Sequence, residues 1–190
     1  YFGVHLGLIG KFQFNQLFPA PNPATLRLRI TDGATAADLR GPQWCRLITP
    51  AERADVVANS GPDPIRDDAD PGRAWAKVSR SRKPFAALLM DQSVFAGVGN
   101  IFRAEVLFRH HIDPMLPSDR LPRPVFDAVW ADLVVLMRGA VEVGRIDTVI
   151  DDHMPEAMGR DPRVDRHGGE VYVYRRAGLP WPCAGCVSSP

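Results

Sequence analysis

The segment Ser81–Pro114 constrains the fold more than any other part of the chain. It reads SRKPFAALLMDQSVFAGVGNIFRAEVLFRHHIDP. Apolar residues recur at helical spacing on both sides of Gly97–Gly99, which predicts two helices joined by a tight glycine turn. Asn100 follows at the start of the second helix. Because glycines allow close approach and a helix start presents free N–H groups, the segment predicts either a plain connection or a phosphate-binding turn.

Charge alone does not identify a partner for this chain. Its 190 residues carry a formal net charge of only +1, so a nucleic acid would have to meet a local basic patch. Arg80, Arg82 and Lys83, just upstream of the glycine turn, provide such charge. Apolar runs are too short to span a bilayer, and three cysteines, an odd number, favour a reducing cytosol over a disulfide framework.

The first 48 residues are predicted to be rich in β-strands. Val4, Leu6 and Leu8 alternate with other residues, as do Leu26, Leu28 and Ile30, which is typical of strands with one buried face. Short strands of this kind predict a small β domain over residues 1–60.

Helices are predicted for the middle of the chain. Thr49-Pro50-Ala51-Glu52 has the pattern of a capping box, and Pro124 begins the longest apolar stripe of helical period. The Pro- and Asp-rich residues 61–75 are interpreted as a linker, and 76–168 as a helical domain whose residues 151–169 form an exposed loop. A strand over 171–174 is predicted to begin a hairpin at 169–190. The fold class is therefore α+β.

Cys183 and Cys186 form one Cys-x-x-Cys pair. A structural zinc ion takes four thiolate or imidazole ligands, so one pair is half of such a site. Cys45 lies too far away in the sequence to be assigned as a third ligand. The histidines show no metal-binding spacing and are interpreted as solvated; they include His110, His111, His153 and His167.

The glycine-turn segment resembles the helix–two-turn–helix signature of the formamidopyrimidine/endonuclease VIII DNA glycosylases. The similarity extends to His5–Gly10, which resembles the intercalation-loop strand of that family, and to Asp38–Pro42, which resembles its second void-filling loop. Tyr172–Gly178 resembles the strand entering its zinc finger. The chain is most similar to the actinobacterial endonuclease VIII-like branch. The resemblance implies an N-terminal β-sandwich, incomplete here, a helix–two-turn–helix domain and part of a zinc-finger hairpin.

The resemblance also implies DNA-binding roles. Asn100, with backbone groups at Gly97 and Gly99, would bind a DNA phosphate; the alternative for Asn100 is a helix cap. Leu8 would fill the gap left by a flipped nucleotide, or else be a strand residue of the core. Arg40 would face the orphaned base, or lie on the surface. The remaining DNA-binding residue implied by the resemblance is Arg175.

Two further residues are interpreted against that background. Glu105 fits an acid that ties the turn together better than a catalytic acid. Lys11 lies downstream of His5–Gly10, whereas the catalytic-domain lysine of the family lies upstream, so that role is not transferred to it.

The implied reaction uses the amine of an amino-terminal proline. That amine attacks C1′ of the damaged nucleotide, a neighbouring glutamate protonates the sugar, and elimination from the Schiff base nicks the strand. The chain begins Tyr1-Phe2, so the nucleophile, the glutamate and the lysine are expected upstream of Tyr1. One structural zinc per full-length chain is expected, bound by Cys183, Cys186 and a second pair beyond Pro190.

The expected function is therefore a base-excision-repair glycosylase with lyase activity on oxidised bases, pyrimidines being favoured. Its partner would be duplex DNA with damaged bases or abasic sites, and it would be a monomer in the bacterial cytoplasm, at the nucleoid. The alternative is a catalytically inactive relative that binds damaged DNA. Other users of a helix–two-turn–helix domain, such as ribosomal or topoisomerase proteins, are disfavoured by the His5–Gly10 strand and the cysteine pair.

Overall fold

The computed structural model describes residues 1–7, 9–18, 22, 24–164 and 169–176. It divides into two compact units, Tyr1–Asn59 and Ser60–Pro190. The first is built mainly from strands and the second from helices, so the α+β prediction is confirmed. Among the described residues, no helix combines the length and apolar character needed to cross a membrane.

Two antiparallel sheets form the first unit. One pairs β1 with β5, and the other has the order β2-β4-β3. The strands are β1 (Phe2–His5), β2 (Lys11–Gln16), β3 (Leu26–Thr31), β4 (Thr35–Arg40) and β5 (Trp44–Leu47). The prediction of a β-rich start is confirmed, although β4 was missed.

Strand β4 follows a tight hairpin that begins at Asp32. The carboxylate accepts hydrogen bonds from the backbone N–H groups of Thr35 and Ala34 and from the Thr35 hydroxyl. These bonds, the Thr35 N–H first among them, lower the pKa of Asp32 to about 2. The prediction of a loop at Asp38–Pro42 is wrong in part. The first three of these residues belong to β4, the central strand of the three-stranded sheet.

The predicted strand through His5–Gly10 is also wrong in part. β1 ends at His5, Gly7 has a φ of +64°, and the Gly10 N–H donates to the Leu6 carbonyl at 3.0 Å. The apolar alternation continued past the strand into a turn, where Leu6 and Ile9 are exposed. Leu8 lies outside the described residues.

Helix α1 (Pro50–Asn59) begins as its sequence indicates. The Thr49 N–H donates to the Glu52 carboxylate at 2.7 Å, and the Glu52 N–H donates to the Thr49 hydroxyl at 3.2 Å. This reciprocal pair is a capping box, and the Thr49 bond holds the pKa of Glu52 below its usual value. The capping-box prediction is confirmed.

The predicted linker 61–75 is corrected, because its residues pack within the second unit. The Gly61 N–H donates to the Gln92 carbonyl at 2.9 Å. Asp70 caps α2 (Pro71–Val78), where Ala74 and Val78 are fully buried. Proline and aspartate here start a helix and close turns instead of separating two domains.

A single apolar core organises the second unit. It lies between α3 (Phe85–Leu89), α4 (Asn100–Arg109) and α5 (Arg123–Val143), with α2 packed on α5. The predicted stripe of α5 is confirmed at three buried positions, Val129, Leu133 and Leu136. Phe95 and Phe126, both fully buried, stand 6.1 Å apart between ring centroids at the centre. This core fixes the start of α4, where the glycine turn lies.

Two predictions for the C-terminal part were wrong. Residues 151–169 contain a 3₁₀ turn at Asp151–His153 and the short helix α6 (Pro155–Met158). Residues 171–174 form no strand, because the backbone N–H groups of Tyr172, Val173 and Tyr174 donate to a side chain. An alternating sequence cannot distinguish a strand from an extended segment that a buried carboxylate holds.

Candidate nucleic-acid interface

The glycine turn before α4 is held by one side chain that the sequence reading did not identify. The Gln92 amide oxygen accepts from the Gly97 N–H at 2.9 Å, and its NH₂ group donates to the Val98 carbonyl at 2.9 Å. Gln92, itself exposed, therefore bridges the two ends of the Gly97–Val98 segment and fixes the conformation of the turn.

The conformation of the turn requires glycine at one position. Gly97 has a φ of +81°, and a β-carbon there would lie 3.1 Å from the Met137 methyl group. At Gly99, by contrast, a β-carbon would meet no other atom within 4 Å, so the space next to this residue is open.

Helix α4 begins without a side-chain cap. Gly99 occupies the N-cap position and Asn100 is the first helical residue, so the helix-cap alternative for Asn100 was wrong. Within the described part of the chain, the N–H groups of Val98, Gly99 and Asn100 have no hydrogen-bond partner. Unsatisfied N–H groups at a helix start carry partial positive charge and attract anions.

Asn100 is exposed and its orientation is fixed by its own helix. Arg103, one turn further on, donates to the Asn100 side-chain oxygen. Since that bond occupies the oxygen, the NH₂ group of Asn100 is the end presented to a ligand. Arg103 adds a guanidinium charge beside it, so hydrogen-bond donors and a positive charge lie together at the start of α4.

Two lysines lie near the residues that precede the turn. The Lys77 ammonium donates to the Ser93 carbonyl at 2.6 Å, whereas Arg80, Arg82 and Lys83 are exposed. Asp91, at the start of the turn region, has a lowered pKa because Ser93 donates to it from its hydroxyl and its N–H; Lys83 and Lys77 contribute through their charges. The lysine effects locate positive charge near the turn.

Glu105 lies on the inner face of the same helix and is fully buried. One carboxylate oxygen accepts from the Thr148 hydroxyl and the Tyr172 N–H, both at 2.7 Å. The other accepts from the N–H groups of Val173 and Tyr174 at 2.9 and 2.8 Å. The carboxylate thus holds residues 172–174, and the prediction that it ties the glycine turn is corrected.

The other predicted DNA-binding residues fall in different places. Gly97, Gly99 and Asn100 lie together at the turn. Arg40 ends β4 in the first unit, where its guanidinium donates to the Thr25 hydroxyl at 2.6 Å and lies 3.8 Å from the Asp38 carboxylate. Arg175 is exposed in the second unit. Cys183 and Cys186 lie outside the described residues.

Two histidines are not simply solvated as predicted. His110 is half-buried, with Nε2 3.1 Å from the Asp132 carboxylate, which also binds Arg109 through two bonds. His153 is half-buried, with Nδ1 2.9 Å from the Tyr172 hydroxyl. Tertiary contacts gave both rings polar partners that their sequence neighbours do not reveal. His167 lies outside the described residues.

These features define a class of protein: a helical unit in which an uncapped helix start follows a glycine turn and presents N–H donors that could accept an anion. Residues 60–152 match the family model described as "Formamidopyrimidine-DNA glycosylase H2TH domain".

Comparison with known proteins identifies the family. The chain is 46% identical over 192 residues to "Endonuclease 8 1" of Mycobacterium tuberculosis strain H37Rv, a match covering 97% of this chain and 69% of the relative. It is 30% identical to the formamidopyrimidine-DNA glycosylase of Thermus thermophilus, covering 96% of this chain and 66% of the relative. The chain belongs to the formamidopyrimidine-DNA glycosylase/endonuclease VIII family.

Solved structures agree on the fold. The complex between the Lactococcus lactis Fpg and an abasic site containing DNA superimposes with a TM-score of 0.64 at 22% identity. That match covers 75% of this chain, and the chain spans about half of the Fpg chain, 54%. A second Lactococcus lactis Fpg complex, with Fapy-dG containing DNA, gives a TM-score of 0.65.

Proposed function

We propose that this protein is a base-excision-repair DNA glycosylase that releases oxidised bases, pyrimidines above all, from duplex DNA and then nicks the strand as a lyase. The observation that carries the proposal is the start of α4, where free N–H groups, the Asn100 amide and Arg103 converge on one exposed turn. The 46% identity to the endonuclease 8 of Mycobacterium tuberculosis supports the repair activity.

In this proposal the described residues bind and position DNA. The turn grips one phosphate next to the lesion, which fixes the register of the strand without reading its sequence. An unprotonated amine then attacks C1′, the base leaves, and the resulting Schiff base undergoes elimination with cleavage of the 3′ phosphate bond. In a polypeptide of residues 1–190 the α-amine of Tyr1 donates to the Ile48 carbonyl at 3.2 Å and is not free for that attack.

The second candidate is an inactive relative that binds damaged DNA without cleaving it. The same anion site favours it equally, because phosphate binding requires no chemistry. Incubation of the full-length protein with duplexes containing an oxidised pyrimidine separates the two. Release of free base and a nicked strand supports the enzyme, and binding without either product supports the sensor.

Replacement of Asn100 by alanine is expected to weaken binding to a duplex carrying an abasic-site analogue. The loss should be about 1–3 kcal/mol, typical of a hydrogen bond to a charged group. Titration at fixed salt measures it, with Asn59→Ala, an exposed asparagine at the end of α1, as the control. Equal affinities for the variant and the wild type, with the fold intact, would remove Asn100 from the phosphate site.

The full-length protein is expected to hold one zinc ion through Cys183, Cys186 and two further cysteines. Two thiolates at this spacing are ligands of the type that structural zinc takes, and the ion would fold the hairpin around them. Metal analysis should give about one zinc per chain, and Cys183→Ser should lower that content, whereas Cys45→Ser should not. A fully folded, metal-free protein contradicts the expectation.

A further inference from the structure

The side chain of Gln92 is exposed, yet both ends of its amide are engaged by the backbone. Besides its bonds to the Gly97 N–H and the Val98 carbonyl, its NH₂ group donates to the Met90 carbonyl at 3.4 Å. Exposed hydrogen bonds contribute only modestly to stability, because water can satisfy the same groups. Their larger effect is on conformation, since they fix the direction in which the peptide groups of the turn point.

The bond to the Val98 carbonyl sets the direction of the next N–H group. A trans peptide is planar, so its C=O and N–H groups point in opposite directions. The Val98 carbonyl points at the Gln92 amide, and the Gly99 N–H of the same peptide therefore points away from it. Among the described residues, that N–H has no hydrogen-bond partner. Gln92 thus sets the direction of a free donor that it does not touch.

The residues of the turn would not hold this donor in place by themselves. Gly97 and Gly99 flank Val98, and glycine has more backbone conformations available than any other residue. No packed neighbour lies where a β-carbon of Gly99 would be. A site made of backbone N–H groups binds an anion well only when the donors already point at it, because ordering them on binding costs affinity.

The backbone of Gln92 is itself anchored to the residues that follow α1. The Gly61 N–H donates to the Gln92 carbonyl at 2.9 Å, and the Ala96 N–H donates to the Pro62 carbonyl at 3.1 Å. This close approach requires glycine, since a β-carbon at Gly61 would lie 2.5 Å from the Val94 carbonyl oxygen. The bend that precedes the turn is therefore held in place, and the Gln92 side chain reaches the turn from a fixed base.

We propose that Gln92 is a positioning residue for the DNA phosphate bound at the start of α4: it aims the Gly99 N–H at that phosphate without touching it. The inference rests on the proposed function, which supplies the phosphate. Gly61 serves the same contact, because it allows the backbone approach that anchors Gln92. Without the amide, the Val98–Gly99 peptide can rotate, and the apparent affinity falls with the fraction of molecules that keep the donor in place.

The test replaces Gln92 with methionine in the full-length protein. Methionine keeps the length of the side chain and its lack of charge, but it removes the hydrogen bonds to the turn. Affinity for a duplex carrying an abasic-site analogue should fall by roughly tenfold at fixed salt. Gln16→Met, at an exposed position at the end of β2, is the matched control and should bind as the wild type does.

A double-mutant cycle with Asn100→Ala distinguishes positioning from a general loss of stability. Both variants act on one phosphate, so the double variant should lose clearly less affinity than the product of the two single losses. Losses that multiply would show that Gln92 only stabilises the fold, and they would overturn the proposal.

Hydrogen exchange of the free protein gives a local readout of the same change. The Gly97 N–H, which donates to the Gln92 amide oxygen, should lose protection in Gln92→Met, whereas the amides of α5 should keep theirs. Equal protection of the Gly97 N–H in the variant and the wild type would also overturn the proposal.

Gly61→Ala supplies a second variant that leaves the Gln92 side chain in place. The added β-carbon would displace the backbone that anchors Gln92, so affinity for the same duplex should fall. Gly139→Ala is the matched control, because a β-carbon there meets no other atom within 4 Å. Wild-type affinity in Gly61→Ala would overturn the role of Gly61. If that variant does not fold, the cycle with Gln92→Met decides the proposal alone.

Failure of the proposed function gives a different pattern. If the wild-type protein shows no affinity for the duplex at low salt, the proposed function is overturned, and with it the phosphate that Gln92 would serve. If the wild type binds and Asn100→Ala weakens it while Gln92→Met does not, the positioning proposal alone is wrong.

Discussion

Replacement of Glu105 by glutamine is expected to destabilise the helical unit by about 2–4 kcal/mol. The two oxygens of the carboxylate accept four hydrogen bonds in a fully buried position. Glutamine keeps one oxygen and replaces the other with an NH₂ group, which would face two donors. Those two donors would lose their acceptor and remain away from water.

Urea denaturation of the variant measures this loss, with Glu142→Gln as the matched control because Glu142 is an exposed glutamate on α5. Hydrogen exchange supplies a local readout. The N–H groups of Tyr172, Val173 and Tyr174 should lose protection before those of the helical core. An unchanged denaturation midpoint would show that the carboxylate contributes no net stability.

A polypeptide comprising residues 1–190 alone is expected to give no borohydride-trapped adduct with abasic-site DNA, whereas under the proposed function the full-length protein gives one. The nucleophile must be an amine placed over C1′, and such positioning is worth many orders of magnitude in rate. In this polypeptide the α-amine of Tyr1 donates to a carbonyl, and Lys11 lies in β2, downstream of His5–Gly10, whereas the catalytic-domain lysine that the family resemblance implies lies upstream.

Trapping on abasic-site and oxidised-pyrimidine duplexes, followed by denaturing electrophoresis, gives the result directly. Lys11→Ala in the 190-residue polypeptide is the informative control. An adduct formed by residues 1–190 and lost in Lys11→Ala would show that this lysine performs the chemistry. The proposed amine mechanism would then be wrong for this protein.

The sequence predicted the glycine turn and the start of α4, which we propose to bind phosphate, because local chemistry defines both. A left-handed position requires a residue such as Gly97, and a helix start after bare glycines leaves N–H groups free whatever the rest of the fold does. The capping box at Thr49 and the stripe of α5 were predictable for the same reason, since both depend on residues within a few positions of one another.

Contacts between distant residues were decided only by the tertiary structure. Glu105 meets Tyr174, 69 residues away, and Gln92 braces the turn through bonds that its sequence neighbours do not indicate. The same cause explains the error at residues 171–174, where alternation resembled a strand. Sequence patterns record which face of a segment is apolar, whereas the partner of a buried polar group depends on which segments the core brings together.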